Sequence, residues 1–315
     1  MNLQAAHTVR SSADAVDAAG VLLRDLIDYA GLFPPASLTM AASVANYDAY
    51  SRSEWNWILG RFIVPVARLD EFEEAFAALP TAHGTGFTNW RLSVLPASDP
   101  VADVARICEF NARMAGSSSG RRAVVESVEV KVASGGEVWA LSGVIPAELA
   151  AYFEVPLPSC GECIAAVAEC GRRAKIRTGG ETADKFPAPE SVVEFIGLCA
   201  AADVPFKATA GLHHPLRSVH RFTYQPESPS GMMHGFVNVF LAAAFLRAGI
   251  ETRVAAQLLD EQSAQAFHFD LDGVGWRQYR LNRQEIAAAR QAFAVSFGSC
   301  SFTEPIDDLR SLHLL

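Results

Sequence analysis

The 315-residue sequence predicts an α/β protein, a (β/α)8 TIM barrel carrying a rim insertion between its seventh and eighth strands. Three observations predict it. Short runs rich in β-branched and aromatic residues alternate with stretches whose apolar residues recur every three or four positions. Half of the residues are hydrophobic and only 19% are charged, which suits one large core. Two apolar runs that each contain a lysine end directly in glycine: Ala-Lys-Ile-Arg-Thr-Gly-Gly at 174–180 and Phe-Lys-Ala-Thr-Ala-Gly-Leu at 206–212.

Taken in order, the strand candidates are residues 26–33, 61–66, 90–95, 124–132, 152–157, 174–178, 205–210 and 294–302. Helical spacing fills the gaps at 70–79, 100–114, 160–170 and 189–202. Asp99-Pro100 and Ala188-Pro189 place a proline in the first helical turn, where its missing N–H costs nothing. One domain over 1–315 accommodates this alternation, with 213–293 as an insertion of helices and a hairpin on the C-terminal rim. Within it lie an apolar helix at 235–248, a second helical stretch at 253–262 and a hairpin at 266–281 turning at Asp272-Gly273. The insertion reads as a lid or as the surface of a homodimer.

The net charge of −9 argues against nucleic acid or an anionic membrane as the main partner. The longest apolar run, 236–246, is interrupted by Asn238 and is too short to span a bilayer. Residues 1–12 carry no basic stretch followed by an apolar run, so a soluble, cytoplasmic protein is expected. Six cysteines in a chain of this length make no disulfide framework, and Cys160, Cys163 and Cys170 read as small apolar residues on a sheet-packing helix.

Side chains alternate along a strand, so one parity faces a barrel's interior. Glu129 and Lys131 share a face on the fourth strand, Tyr152 and Glu154 on the fifth, Lys175 and Arg177 on the sixth, and Lys207 and Thr209 on the seventh. A core built for stability alone would use Val, Ile and Leu at such positions. Inward acids and amines suit amine catalysis, in which a lysine sheds its proton to attack a carbonyl. Catalytic candidates are therefore Lys175, Lys207, Glu129, Lys131 and Glu154, the last able to shuttle protons. An excess of positive charge would favour a small anionic substrate.

The two glycine-terminated segments resemble those of deoxyribose-phosphate aldolase, a class I aldolase. That family carries Lys-Thr-Ser-Thr-Gly on the sixth strand, Lys-Ala-Ser-Gly-Gly on the seventh and Gly-Thr-Ser-Ser-Gly on the eighth. Here the counterparts are Lys175-Ile176-Arg177-Thr178-Gly179, Lys207-Ala208-Thr209-Ala210-Gly211 and Gly298-Ser299-Cys300-Ser301. The resemblance implies a TIM barrel in which Lys175 forms a Schiff base and Lys207 depresses its pKa. The third strand, 90–95, offers no aspartate for the proton relay that the family implies there, and Arg177 replaces a small residue.

Loops after the seventh and eighth strands commonly hold anions in such barrels. This makes Arg177, Thr209, Gly211, His213, His214, Arg217, Gly298, Ser299 and Ser301 the candidates for substrate or anion binding. Asp28 reads either as reaching the cavity mouth or as capping a turn, and Cys300 as packed. His7, His83 and His313 read as surface residues. The expected function is a lysine-dependent lyase that needs no cofactor and no metal. Two alternatives stay open: a metal-dependent hydrolase, isomerase or lyase using His213, His214, His234 and Glu154, and a non-catalytic metabolite-binding barrel.

Overall fold

A computed structural model of the protein describes residues 17–80, 88–97, 99–116 and 121–315. His7, His83, the stretch 1–12 and the serines of 117–119 lie outside the described residues. The chain enters through α1 (Ala18–Leu23), capped by the Asp17 side chain, and passes into the first strand. Seven strands then follow in parallel: β1 (Ile27–Tyr29), β2 (Leu59–Pro65), β3 (Thr88–Leu95), β4 (Arg121–Lys131), β5 (Ala150–Glu154), β6 (Arg173–Arg177) and β7 (Phe206–Thr209). Five short strands intervene before the eighth stave: β8 (Ser218–Arg221), β9 (Ser230–Met233), β10 (Phe267–Phe269), β11 (Gly273–Trp276) and β12 (Tyr279–Asn282). That eighth stave is β13 (Ala294–Ser299), and the barrel closes in the order β1-β13-β7-β6-β5-β4-β3-β2. The expected (β/α)8 barrel is the observed fold.

Helices between the staves are α2 (Met40–Ser51), α3 (Leu69–Ala77), α4 (Pro100–Ala115), α5 (Gly135–Ser142), α6 (Gly161–Glu169) and α7 (Pro189–Ala201). Local chemistry fixes their starts. Asp99 accepts hydrogen bonds from the Val101 and Ala102 amides ahead of Pro100, which fills the first turn of α4. Outward residues of the staves, such as Phe153, Ile176, Phe206 and Ala208, are buried under these helices. That double coverage is why the strands read as continuous apolar runs. Cys160, Cys163 and Cys199 are buried free thiols. Among the described residues no helix is long and apolar enough to cross a membrane.

The chain between β7 and β13 divides its labour. β8 and β9 form an antiparallel pair beside the barrel mouth, where Phe222 stacks on Phe186 at a centroid distance of 5.0 Å. The apolar run becomes α8 (Phe236–Arg247), and every residue from Phe236 to Phe245 is buried against the chain's own core. The helix whose composition suggested a partner surface is thus consumed internally. α9 (Thr252–Leu259) packs on α7 and α8, and β10–β12 make a three-stranded antiparallel sheet where a hairpin was expected. α10 (Arg283–Ala292), begun by an Asn282–Glu285 capping box, then leads into β13, and α11 (Thr303–Ser311) closes the circuit.

Asn238, the polar break in the apolar run, ties this segment together. Its amide donates to the carbonyls of Leu258 and Glu261 at 2.8 Å each, and its Oδ1 accepts from the Arg217 amide at 3.0 Å. Asn238→Ala strands these buried groups and should lower the unfolding free energy by about 2–4 kcal/mol in urea titration. A loss well under 1 kcal/mol would mean that α9 is held by apolar packing alone.

Candidate active site

Both strand lysines point into the barrel, and adjacent register places them side by side, Lys175 opposite Lys207. They do not occupy equivalent sites. Lys207 is sealed: its Nζ donates to Asp28 Oδ2 and Glu129 Oε1 at 2.6 Å each, and it lies 5.5 Å from the centre of the Tyr152 ring. Lys175 sits between Glu129 Oε2 and Glu154 Oε2, 2.9 Å from each, and borders an open cavity of about 600 Å³. Glu129 therefore bridges the two ammonium groups, one oxygen to each.

The carboxylates are themselves held. Glu129 Oε1 also accepts from Ser93 Oγ at 2.6 Å, and Ser127 Oγ donates to Ser93 Oγ at 2.9 Å. Asp28 accepts from the Arg61 amide at 2.6 Å and from Ser296 Oγ at 2.8 Å. Glu154 Oε1 accepts from Arg177 Nε at 3.1 Å. Asp28, Glu129 and Glu154 thus face Lys207, Lys175 and Arg177, a set without net charge.

Burial alone favours the uncharged forms of Glu129, Glu154 and Lys207, but here the opposite charges outweigh it. Lys175 and Lys207 hold the Glu129 carboxyl well below the usual carboxylate range. Lys175 and Arg177 hold Glu154 down in the same way. Asp28 and Glu129 push Lys207 upward. This corrects two expectations. The lysine pair brings no excess positive charge, and Lys207 is fixed as an ammonium by Asp28 and Glu129 rather than acting as an unpaired neighbouring cation.

Other candidates divide between the cavity and its surroundings. Lys131, Arg177, Thr209, Gly211, His213 and Gly298 border the cavity. Cys300 also borders it, although it is buried and its thiol is pushed up by desolvation. His214, Arg217, Ser299 and Ser301 are not among the residues that border it. His214 Nδ1 lies 2.6 Å from Asp308 Oδ2. Arg217 pairs with Asp260 at 3.2 Å, and its guanidinium reaches His234 Nδ1 at the same distance. Ser299 Oγ accepts from the Ser301 amide, and Ser301 Oγ accepts from the Glu304 amide at the start of α11.

The histidines considered for a metal are likewise separated in role. His234 is buried against the Pro187 carbonyl at 2.8 Å, and among the described residues no group of three or more His, Cys, Asp or Glu side chains is placed to hold a metal ion. Sequence reasoning missed the buried hydroxyls that hold the carboxylates facing the lysines: Ser93, Ser127 and Ser296 were not singled out. Asp28 lies deep beneath the mouth rather than at it or in a turn. Its signal was available, because an aspartate inside an apolar parallel strand needs a cationic partner.

Above the lysines the chain backbone closes tightly. A Cβ on Gly179 would sit 2.7 Å from the Gly211 Cα and 2.5 Å from the Phe186 ring. Gly211 has φ +74°, a conformation that glycine adopts without strain. The glycines ending these strands let β6 and β7 touch beneath the Phe186–Phe222 pair.

The charge network has a pH signature. The Glu129 carboxyl is depressed from its ordinary 4.5, so its stabilisation is complete above pH 4.5 and is lost as pH falls toward the folded-state value. Lys207 is raised from 10.5, so its stabilisation is complete below pH 10.5 and is lost as pH rises through the folded-state value. Glu129→Gln leaves two buried ammonium groups short of a counter-charge and should cost about 3–5 kcal/mol at pH 7. In urea titrations between pH 3 and 7 the variant should also show a smaller acid-side loss than the wild type. Equal slopes in the two proteins would overturn the assignment of Glu129 as the ionised bridge.

Comparison with protein-family models, with curated proteins and with solved structures returns no match, so the barrel and its charge network rest on this chain's own geometry.

Proposed function

We propose that the protein is a lysine-dependent lyase of the aldolase type, which forms a Schiff base between Lys175 and a small anionic carbonyl compound. The observation that carries this reading is the position of Lys175: a nearly buried ammonium on the wall of an open cavity, with a carboxylate oxygen 2.9 Å away on either side. Lys207 lacks access to that cavity, so the two lysines take different parts. Lys175 is the nucleophile, and Lys207 keeps Glu129 ionised as a fixed counter-charge.

Arg177 links recognition to proton transfer. Its side chain is about half exposed and shares Glu154 with Lys175. A substrate carboxylate or phosphate competes for the guanidinium, aided by Lys131, which also borders the cavity. Glu154, relieved of Arg177, becomes a better base and takes a proton from Lys175 Nζ. The neutral amine adds its lone pair to the carbonyl carbon, and a proton passes from the added nitrogen to the former carbonyl oxygen to give a neutral carbinolamine. Glu154 returns its proton to the departing hydroxyl, which leaves as water. The resulting iminium is paired with Glu129, which needs no rearrangement to meet it.

Borohydride reduces an imine to a stable secondary amine, which makes the reading testable. Incubation with pyruvate, dihydroxyacetone phosphate or glyceraldehyde 3-phosphate plus borohydride should leave a mass adduct on the peptide containing Lys175. Lys175→Met should abolish that adduct. Lys131→Gln combined with Arg177→Gln should raise the probe concentration for half-maximal trapping about tenfold or more. Absence of a Lys175 adduct with all three probes would overturn the reading.

A further inference from the structure

An imine becomes useful only when a proton next to it can be removed, which calls for a base at the cavity. Glu129 is locked between two ammonium groups, and Glu154, a carboxylate again once the imine has formed, lies against Lys175 and Arg177. A second group of titratable side chains, Glu304 and His214, lies beside His213. This residue follows β7 directly and borders the same cavity as Lys175. Its Nδ1 is sealed from solvent and lies 3.2 Å from Glu304 Oε2, close enough for an ion pair though not aligned as a hydrogen bond.

Glu304 is placed for this part. Its backbone amide donates to Ser301 Oγ at 3.1 Å in the first turn of α11, and the Tyr224 hydroxyl donates to the same Oε2 at 3.2 Å. Burial tends to raise its carboxyl, but the contacts with His213, His214 and Tyr224 win and hold it lower, as a carboxylate. Of the surrounding groups, His214 has its ring centre 6.4 Å from that of His213 and is paired with Asp308, His220 stacks on His214, and Cys300 lies 3.5 Å from the Tyr224 hydroxyl. A histidine with one nitrogen against a carboxylate has its second nitrogen free for proton transfer.

Resting on the Schiff-base reading, we infer that His213 is the catalytic acid–base residue that interconverts the Lys175 iminium and its enamine, with Glu304 as its positioning residue. His213 Nε2 takes the proton from the carbon next to the iminium carbon. The C–H electron pair becomes the C=C bond of the enamine, and the C=N π pair returns to nitrogen. The imidazolium so formed faces Glu304, and return of the proton reverses each step. No oxidant, reductant or further reactant is consumed.

Solvent exchange reads this step apart from imine formation. In D2O the wild type should exchange the protons next to the carbonyl of whichever of the three probes traps on Lys175, as followed by proton NMR. His213→Gln should retain borohydride trapping on Lys175 but exchange those protons at least 50-fold more slowly, and His213→Asn should behave in the same way. Wild-type exchange rates in either variant, with trapping intact, would overturn the role of His213 and leave the Schiff-base reading standing. Loss of trapping in both variants, with circular dichroism and melting temperature unchanged, would also overturn it, by moving His213 into imine formation. Absence of trapping in the wild type would remove the Schiff-base reading and this inference together.

Discussion

A single carboxylate, that of Glu129, decides what the barrel interior is. It reaches Lys175 with one oxygen and Lys207 with the other. Desolvating an ion costs several kcal/mol even after relaxation. A contacting pair at an effective dielectric near 20 returns about 4 kcal/mol at 4 Å. Each lysine needs both of its carboxylate contacts to approach break-even, and Glu129 supplies one of the two in each case. Such a network adds little stability over the Val, Ile and Leu that fill an ordinary barrel.

The same constraint explains why two lysines in matching register differ in role. Lys207 lies on the β13 side of Lys175, and β13 is followed by β1, which brings Asp28. Ser296, the Arg61 amide and the Tyr152 ring enclose that end of the network. Lys175 has β5 on its other side, and β5 brings Glu154, whose second partner is the half-exposed Arg177. One amine is therefore surrounded by groups that cannot leave and the other by a group that can. Strand order, rather than residue type, sorts the sealed lysine from the one that borders the cavity.

The eight staves were legible because parallel strands buried on both faces leave long apolar runs, and the inward acids and amines followed from strand parity. Ser93, Ser127 and Ser296 were not legible, since a serine in a strand gives no sign of which carboxylate or hydroxyl it serves. Asp28 was half-legible. Its burial demanded a cation, but only barrel closure, which brings β1 beside β13 and next to β7, shows that Lys207 is that cation. Loop residues were the least legible. Arg217, Ser299 and Ser301 follow strand ends, as anion ligands do, yet tertiary packing commits them to Asp260, the Ser301 amide and the start of α11. α8 misled in the opposite sense, because an all-round apolar helix is either buried or paired with a partner, and composition does not separate the two.

The depth of this cavity and its mouth differ in how strongly their charges are neutralised. At the lysine level every cation has a carboxylate contact, so a substrate gains little by bringing a negative group there. Nearer the mouth, Lys131 is exposed and the Arg177 guanidinium is half exposed, in a chain whose overall charge repels anions. The unneutralised positive charge of the cavity therefore lies at its rim. The tight Gly179–Gly211 contact and the Phe186–Phe222 stack form an apolar edge beside this cationic one. The cavity thus has a polarity of its own, with paired charges at depth and a cationic and an apolar edge at its mouth.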